Sequence, residues 1–108
     1  MEIATKHDLT ANRLAALGHP ARLKLYRRLV RRGHRGLTVG DIQTHLAMPA
    51  STLAHHLGAL VACGLVGQER QGREVICRAD FAVMRHVIGY LSDECCAEVV
   101  AGAPEAAA

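Results

Sequence analysis

Thr38 to Val66 reads TVGDIQTHLAMPASTLAHHLGALVACGLV. A short helical run, Thr38–Ala47, is interrupted by Met48-Pro49-Ala50. Pro49 disfavours a helical conformation at Met48, so the chain turns there. Ser51 or Thr52 restarts a helix that runs to about Cys63, and Gly64 stops it. Leu53, Leu57, Leu60 and Val61 fall at i, i+4, i+7 and i+8, which makes one buried face. Ser51, Thr52, His55, His56 and Ala59 are read as facing away from it. Two helices joined by a tight turn, the second with small polar groups on its outer face, form the pattern of a helix-turn-helix. Its second helix must project far enough to enter a major groove.

The flanking sequence completes an architecture. Upstream, Asp8 or Thr10 caps a helix over roughly 9–17 that ends at Gly18. Pro20 opens a second helix that runs to Gly33, with Leu23, Tyr26, Leu29 and Val30 as its apolar stripe. His34-Arg-Gly-Leu-Thr38 is a loop with the character of a short strand. Downstream, Leu65–Arg70 and Arg73–Arg78 read as two strands around a Gln71-Gly72 turn, a β-hairpin. Asp80 caps a last helix from about 81, with Met84, Val87, Ile88 and Leu91 along one side. The order is α-α-α-α-β-β-α: mainly α with a small β-hairpin, a winged helix-turn-helix. Residues 1–97 form the domain, and 98–108, with no amphipathic pattern, read as a flexible tail. Arg70 and Arg73 flank the hairpin turn, where a wing reaches phosphates or a minor groove.

Composition sets limits. At 108 residues there is room for one domain. Half the residues are hydrophobic, but only Tyr26, Phe81 and Tyr90 are aromatic, so the core must be aliphatic. No run approaches the roughly 18 apolar residues of a membrane span. The first twenty residues lack the continuous apolar stretch of a signal peptide, and a cytoplasmic location is expected. Thiols stay reduced there, so Cys63, Cys77, Cys95 and Cys96 are not read as disulfides. The net charge of +3 is unevenly spread. Residues 1–36 hold nine Lys/Arg against two Asp/Glu, whereas residues 80–108 hold one against five. The basic excess comprises Arg22, Lys24, Arg27, Arg28, Arg31, Arg32 and Arg35, which is either a solvated face or a source of phosphate attraction. No Ser/His/Asp set, phosphate loop or carboxylate pair marks an enzyme.

Together these segments resemble the ArsR/SmtB family of bacterial metal-sensing repressors. Leu17-Gly-His-Pro-Ala-Arg-Leu23 is similar to that family's entry to its second helix. Ser51-Thr-Leu-Ala-His-His-Leu57, Leu60 and Cys63-Gly-Leu-Val66 are similar to its recognition helix and exit, and Gly72-Arg73 to its wing. The resemblance covers about residues 10–96. Ala54 and Gly58 depart from it, standing where members often carry Ser and Lys. Long base-reading side chains are therefore scarce, and Ser51, Thr52, His55 and His56 remain as DNA contacts, with packing against the preceding helix as the alternative for His56. The resemblance implies a homodimer on a palindromic double-stranded operator. Its dimer surface is the first and last helices, here Leu9, Leu14 and Leu17 with Met84, Val87, Ile88 and Leu91.

The resemblance also offers inducer sites. A CxC before the recognition helix is absent. Asp80 and His86 recur from a zinc and cobalt site, but the rest of that pattern does not. A Cys-Cys pair at the end of the last helix resembles an arsenic-responsive group, and Cys95-Cys96 is such a pair. Soft thiolates select soft ions. Adjacent helical side chains diverge by about 100°, so both sulfurs meet one atom only if the helix end unwinds. The third cysteine expected near Gly102 is missing. Cys63, Cys77 or a small ligand would complete a three-sulfur site; a trivalent organoarsenical such as methylarsenite needs only two. The inducer is then As(III) or an organoarsenical, with Cys95 and Cys96 as ligands. A thiol-based redox or sulfide-responsive repressor and a winged-helix module that binds protein are the competing readings.

Overall fold

A computed structural model describes residues 4–99. The elements run α1 (Lys6–Leu17), α2 (Pro20–Arg32), a 3-10 turn (Gly33–Arg35), β1 (Leu37–Thr38), α3 (Val39–Leu46), α4 (Ala50–Ala62), β2 (Val66–Gln71), β3 (Glu74–Ala79) and α5 (Phe81–Ser92). This is a mainly helical winged helix-turn-helix. The expected tail, 98–108, lies outside the described residues from 100 onward.

Four of the five described α-helices start where a polar side chain satisfies one of the first amides. Thr5 caps α1, and its hydroxyl and the Asp8 carboxylate exchange bonds with each other's backbone N–H. Those bonds hold the Asp8 carboxyl below its usual range, the Thr5 side-chain hydrogen bond most of all. Asp8 is therefore the third residue of the helix and not its cap, and the helix begins three residues before the position read from sequence. The His19 ring accepts from Ala21 N–H at the head of α2, and Pro20 occupies its first turn. Thr38 and Asp80 cap α3 and α5. α4 starts at Ala50, before Ser51 and Thr52, with no side-chain cap.

The core is aliphatic, as composition requires. Leu25, Leu29, Ile42, Leu53, Leu60 and Leu65 are fully enclosed, and Tyr26 and Leu57 nearly so. On α2 the buried stripe is Leu25, Tyr26 and Leu29. Leu23 is 44% exposed, which corrects its placement in the stripe. Leu25 lies four residues before Leu29, about 40° round the helix, whereas Leu23 lies six before it, about 120° round and off the stripe.

The sheet has three strands, in the order β1-β3-β2, all antiparallel. The hairpin read from sequence is present with its turn one residue later, at Gly72-Arg73. β1 adds two residues, with Leu37 opposite Cys77 and Thr38 opposite Ile76. Gly36 makes that pairing possible. Its φ is +69°, and a Cβ there would stand 2.7 Å from the Cys77 carbonyl oxygen and 2.8 Å from the Arg78 and Ile76 side chains. Gly72 has a similar φ of +64° but opens on empty space. Gly72→Ala should therefore cost only the backbone term, about 1 kcal/mol, whereas Gly36→Ala adds overpacking and should cost about 3 kcal/mol. Urea denaturation of the two variants measures the difference; equal losses would mean that β1 does not dock closely on β3.

Candidate nucleic-acid interface and thiol pair

α3 and α4 are joined through Ala47, Met48 and Pro49, with Ala47 left-handed at φ 49° as the cap of α3. The buried face of α4 is Leu53, His56, Leu57 and Leu60. The opposite face carries Ser51, Thr52, Ala54, His55 and Gly58 exposed to solvent. Ser51 and Thr52 are the second and third residues of α4, beside its uncapped amides. A helix start of this kind attracts phosphate. Arg70, on β2, and Arg73, in the turn, are exposed on the wing. The nearby Glu69 carboxylate accepts from Gln71 and Arg78 at 2.8 and 3.0 Å, and these bonds lower its pKa. It is thereby tied to those two groups, and among the described residues no carboxylate pairs with Arg70 or Arg73.

His56 is a correction. It was read as facing away from the core, yet it is 6% exposed. Its Nδ1 accepts from Arg22 Nε at 3.1 Å, and its ring tilts against His19 with centroids 4.7 Å apart. The signal lay in the spacing: 53, 56, 57 and 60 are i, i+3, i+4 and i+7. His55 stays outside, with Nε2 3.5 Å from an Arg22 terminal nitrogen.

The basic stretch of α2 divides by partner. Arg22 joins the histidines of α4, Arg28 lies 3.4 Å from His45, and Arg32 donates to the Gly36 carbonyl. Lys24, Arg27 and Arg31 line an open groove against α3 with Leu23 and Leu46.

The four cysteines fall into two groups by burial. Cys77 is fully enclosed, its sulfur accepting from Gln68 at 3.5 Å, and burial pushes its thiol pKa up. Cys63 is half-buried and donates to the Leu60 carbonyl. Cys95 and Cys96 are exposed. α5 ends at Ser92, Asp93 is extended, and Glu94 and Cys96 take left-handed φ of 60° and 59°. The backbone there runs in turns, so the 100° divergence of helical neighbours does not apply, and the two sulfurs stand 3.6 Å apart. For soft-ion thiolate bonds of about 2.3 Å, one atom can bridge sulfurs at this separation. Among the described residues no three His, Cys, Asp or Glu side chains gather as a metal cluster. Asp80 is occupied in capping Val83 N–H, and His86 is exposed on α5.

This fold and outward face define a DNA-binding transcriptional regulator, not an enzyme. A helix-turn-helix domain family matches residues 17–69. An ArsR-like transcriptional regulator from Rhodococcus sp. RHA1 is 29% identical, with a TM-score of 0.72 over 85% of this chain and 83% of that one. The transcriptional repressor BigR from Xylella fastidiosa is 30% identical, with a TM-score of 0.60 over 80% and 85%. A homodimeric winged helix-turn-helix DNA-binding domain from Mycobacterium bovis, a possible ArsR-family regulator, is 29% identical, with a TM-score of 0.65 over 81% of each chain. No curated protein matches the chain. The chain thus resembles ArsR-family transcriptional regulators in fold and sequence. Among the described residues no helix is long and apolar enough to cross a membrane.

Burial, followed by the charges of His19, Arg22 and His55, holds the His56 pKa below its ordinary 6.5. The unfolded chain takes up this proton as pH falls through about 6.5, while the folded chain resists it. The contribution of neutral His56 is thus complete above that pH and is lost as pH falls toward the folded value. Between about pH 7.5 and about pH 5.5 the urea midpoint should fall less for His56→Gln than for the natural protein. Identical pH profiles would show that His56 is not held neutral by the fold.

Proposed function

We propose that this regulator is a homodimeric repressor that binds a palindromic operator and is released when trivalent arsenic or antimony, as arsenite, antimonite or an organoarsenical, takes Cys95 and Cys96. The observation that carries the reading is the exposed vicinal pair with sulfurs 3.6 Å apart beyond the end of α5. A pair supplies two soft donors. Enclosure of Cys77 argues against it as a third, so a ligand with two thiolate valences, such as methylarsenite, suits the count best.

The dimer is supported by apolar surface. Leu9 and Leu14 on α1 and Ile88 and Leu91 on α5 are 38–63% exposed. α1 and α5 pack on each other, so the four side chains lie on neighbouring helices. Burying such a surface in a second copy would stabilise the pair by about 25 cal/mol for each Å² of apolar area. The Mycobacterium bovis domain is a homodimer in its own right.

Contacts connect α5, which leads into the thiol pair, to the recognition helix. Tyr90 on α5 is hydrogen-bonded to His7 on α1 at 2.7 Å, and Lys6 lies over its ring. Arg13 on α1 donates to the Cys63 carbonyl, which caps the end of α4. A change at the end of α5 therefore meets both the dimer surface and the helix that holds DNA. Two recognition helices must sit about 34–36 Å apart to read one face of a duplex. A coupling of about 1–3 kcal/mol would weaken operator binding roughly 5–150-fold.

Electrophoretic shift of the operator duplex, with arsenite and with methylarsenite, tests the reading on the natural protein and on Cys95→Ser/Cys96→Ser. Release of the natural protein only is expected. Release of the double variant would move the inducer site elsewhere. Release by peroxide or polysulfide in place of arsenicals would favour a redox or sulfide switch. Failure to bind duplex DNA at any salt concentration would favour a protein-binding module.

A further inference from the structure

α4 has no charged residue. Its sequence, ASTLAHHLGALVA, contains neither Lys nor Arg. Affinity for duplex DNA comes largely from cations that meet phosphates, and these contacts also set the register of the protein on the helix. A neutral recognition helix must therefore draw its positive charge from a neighbouring element.

One guanidinium is fixed against it. Arg22 lies in the first turn of α2 and is half-buried. Its Nε donates to Nδ1 of His56, an acceptor buried inside the α2–α4 contact. Its Nη2 lies 3.5 Å from Nε2 of His55, which stands on the exposed face. His19 packs its ring on the other side of His56. Among the described residues no carboxylate pairs with Arg22, and no other cation hydrogen-bonds to a side chain of α4. The neighbouring cations are engaged elsewhere, Arg13 on the Cys63 carbonyl and Arg28 beside His45.

The geometry points to Arg22 as a DNA-contacting residue, a guanidinium supplied by α2 and held by His56 and His55 at the outer edge of α4, where it takes a backbone phosphate. Two of its five N–H groups face the imidazoles, which leaves three for an anion. The remaining donors lie on the two terminal nitrogens, a fork that matches the oxygens of one phosphate. His56 is then a positioning residue, and its burial has a function: a fixed acceptor holds the guanidinium in place before DNA arrives, so less side-chain entropy is lost on contact.

The inference rests on the DNA-binding reading, and the test separates the two. Binding of a mixed-sequence duplex about 30 base pairs long, roughly three helical turns, is measured across a salt series. The natural protein, Arg22→Gln and Arg22→Lys are compared, with thermal melting of each. Gln keeps a donor for His56 but loses the charge; Lys keeps the charge but loses the fork. For Arg22→Gln the slope of log affinity against log salt should shrink by about 0.9 for each Arg22 that meets a phosphate, with roughly tenfold weaker binding at about 0.1 M salt. Arg22→Lys should recover the slope. An unchanged slope in a folded Arg22→Gln overturns the assignment and leaves Arg22 as packing only. If Gln prevents folding, Arg22→Met, which also removes the charge, takes its place, and an unchanged slope in the folded variant overturns the assignment as well. Salt-independent or absent binding by the natural protein overturns the DNA reading itself.

Discussion

Leu53, Leu57 and Leu60 hold α4 to the core, and the presentation of its outer face depends on that attachment. Each buried leucine contributes about 2 kcal/mol of transfer free energy. Because the three lie on one stripe, they fix the rotation of the helix about its axis as well as its position. Ser51, Thr52 and His55 are exposed because the leucines are not. α3 sits behind through Ile42, and α2 beneath through Leu25 and Leu29, all fully enclosed. A core without tryptophan and with only one nearly enclosed aromatic ring fills this space with branched aliphatic side chains. Tyr26 is that ring, and its hydroxyl has no hydrogen-bond partner among the described residues.

Much of this was legible in the sequence because it follows from local chemistry. Pro49 dictated the break before α4, the leucine spacing its buried side, and Asp80 the start of α5. What escaped was non-local or lay in a conflict between residue type and position. The short-strand character of residues 34–38 is readable, but the pairing of β1 with β3, which Gly36 permits by letting the chain approach, is not. Leucine at 23 suggests core because it is apolar, but its angular position around α2 puts it in solvent, and Leu25 is enclosed instead. Histidine at 56 suggests surface because it is polar, although its spacing matches the buried stripe. Burial of a polar ring is tolerated when it finds partners, and Arg22 and His19 are residues 34 and 37 positions away in the chain.

The thiol pair was legible as residues but not as geometry. Adjacent cysteines on a continuing helix would diverge. Their approach depends on the chain leaving the helix after Ser92, with Glu94 and Cys96 both left-handed. No glycine announces this, and left-handed conformations cost a residue with a side chain about 1 kcal/mol or more.

That cost bears on how such a site could act as a switch. A ligand shifts an equilibrium only by the difference in its affinity for the two states. A tightly packed helix end would resist rearrangement, and much of the ligand's binding free energy would go into breaking it. Residues 93–99 are exposed, carry turn hydrogen bonds donated by the Cys95, Ala97 and Val99 amides, and hold two residues with left-handed backbone. The helix immediately before them carries Ile88 and Leu91, the apolar side chains for which a second subunit is the natural cover. A local change at low cost thus sits next to the surface where geometry matters most. Small displacements at a two-fold interface are multiplied by the distance to the recognition helices, whose spacing must match the turn of the duplex. On the proposed reading, the economy of the device lies in placing its most deformable segment beside its most consequential contact.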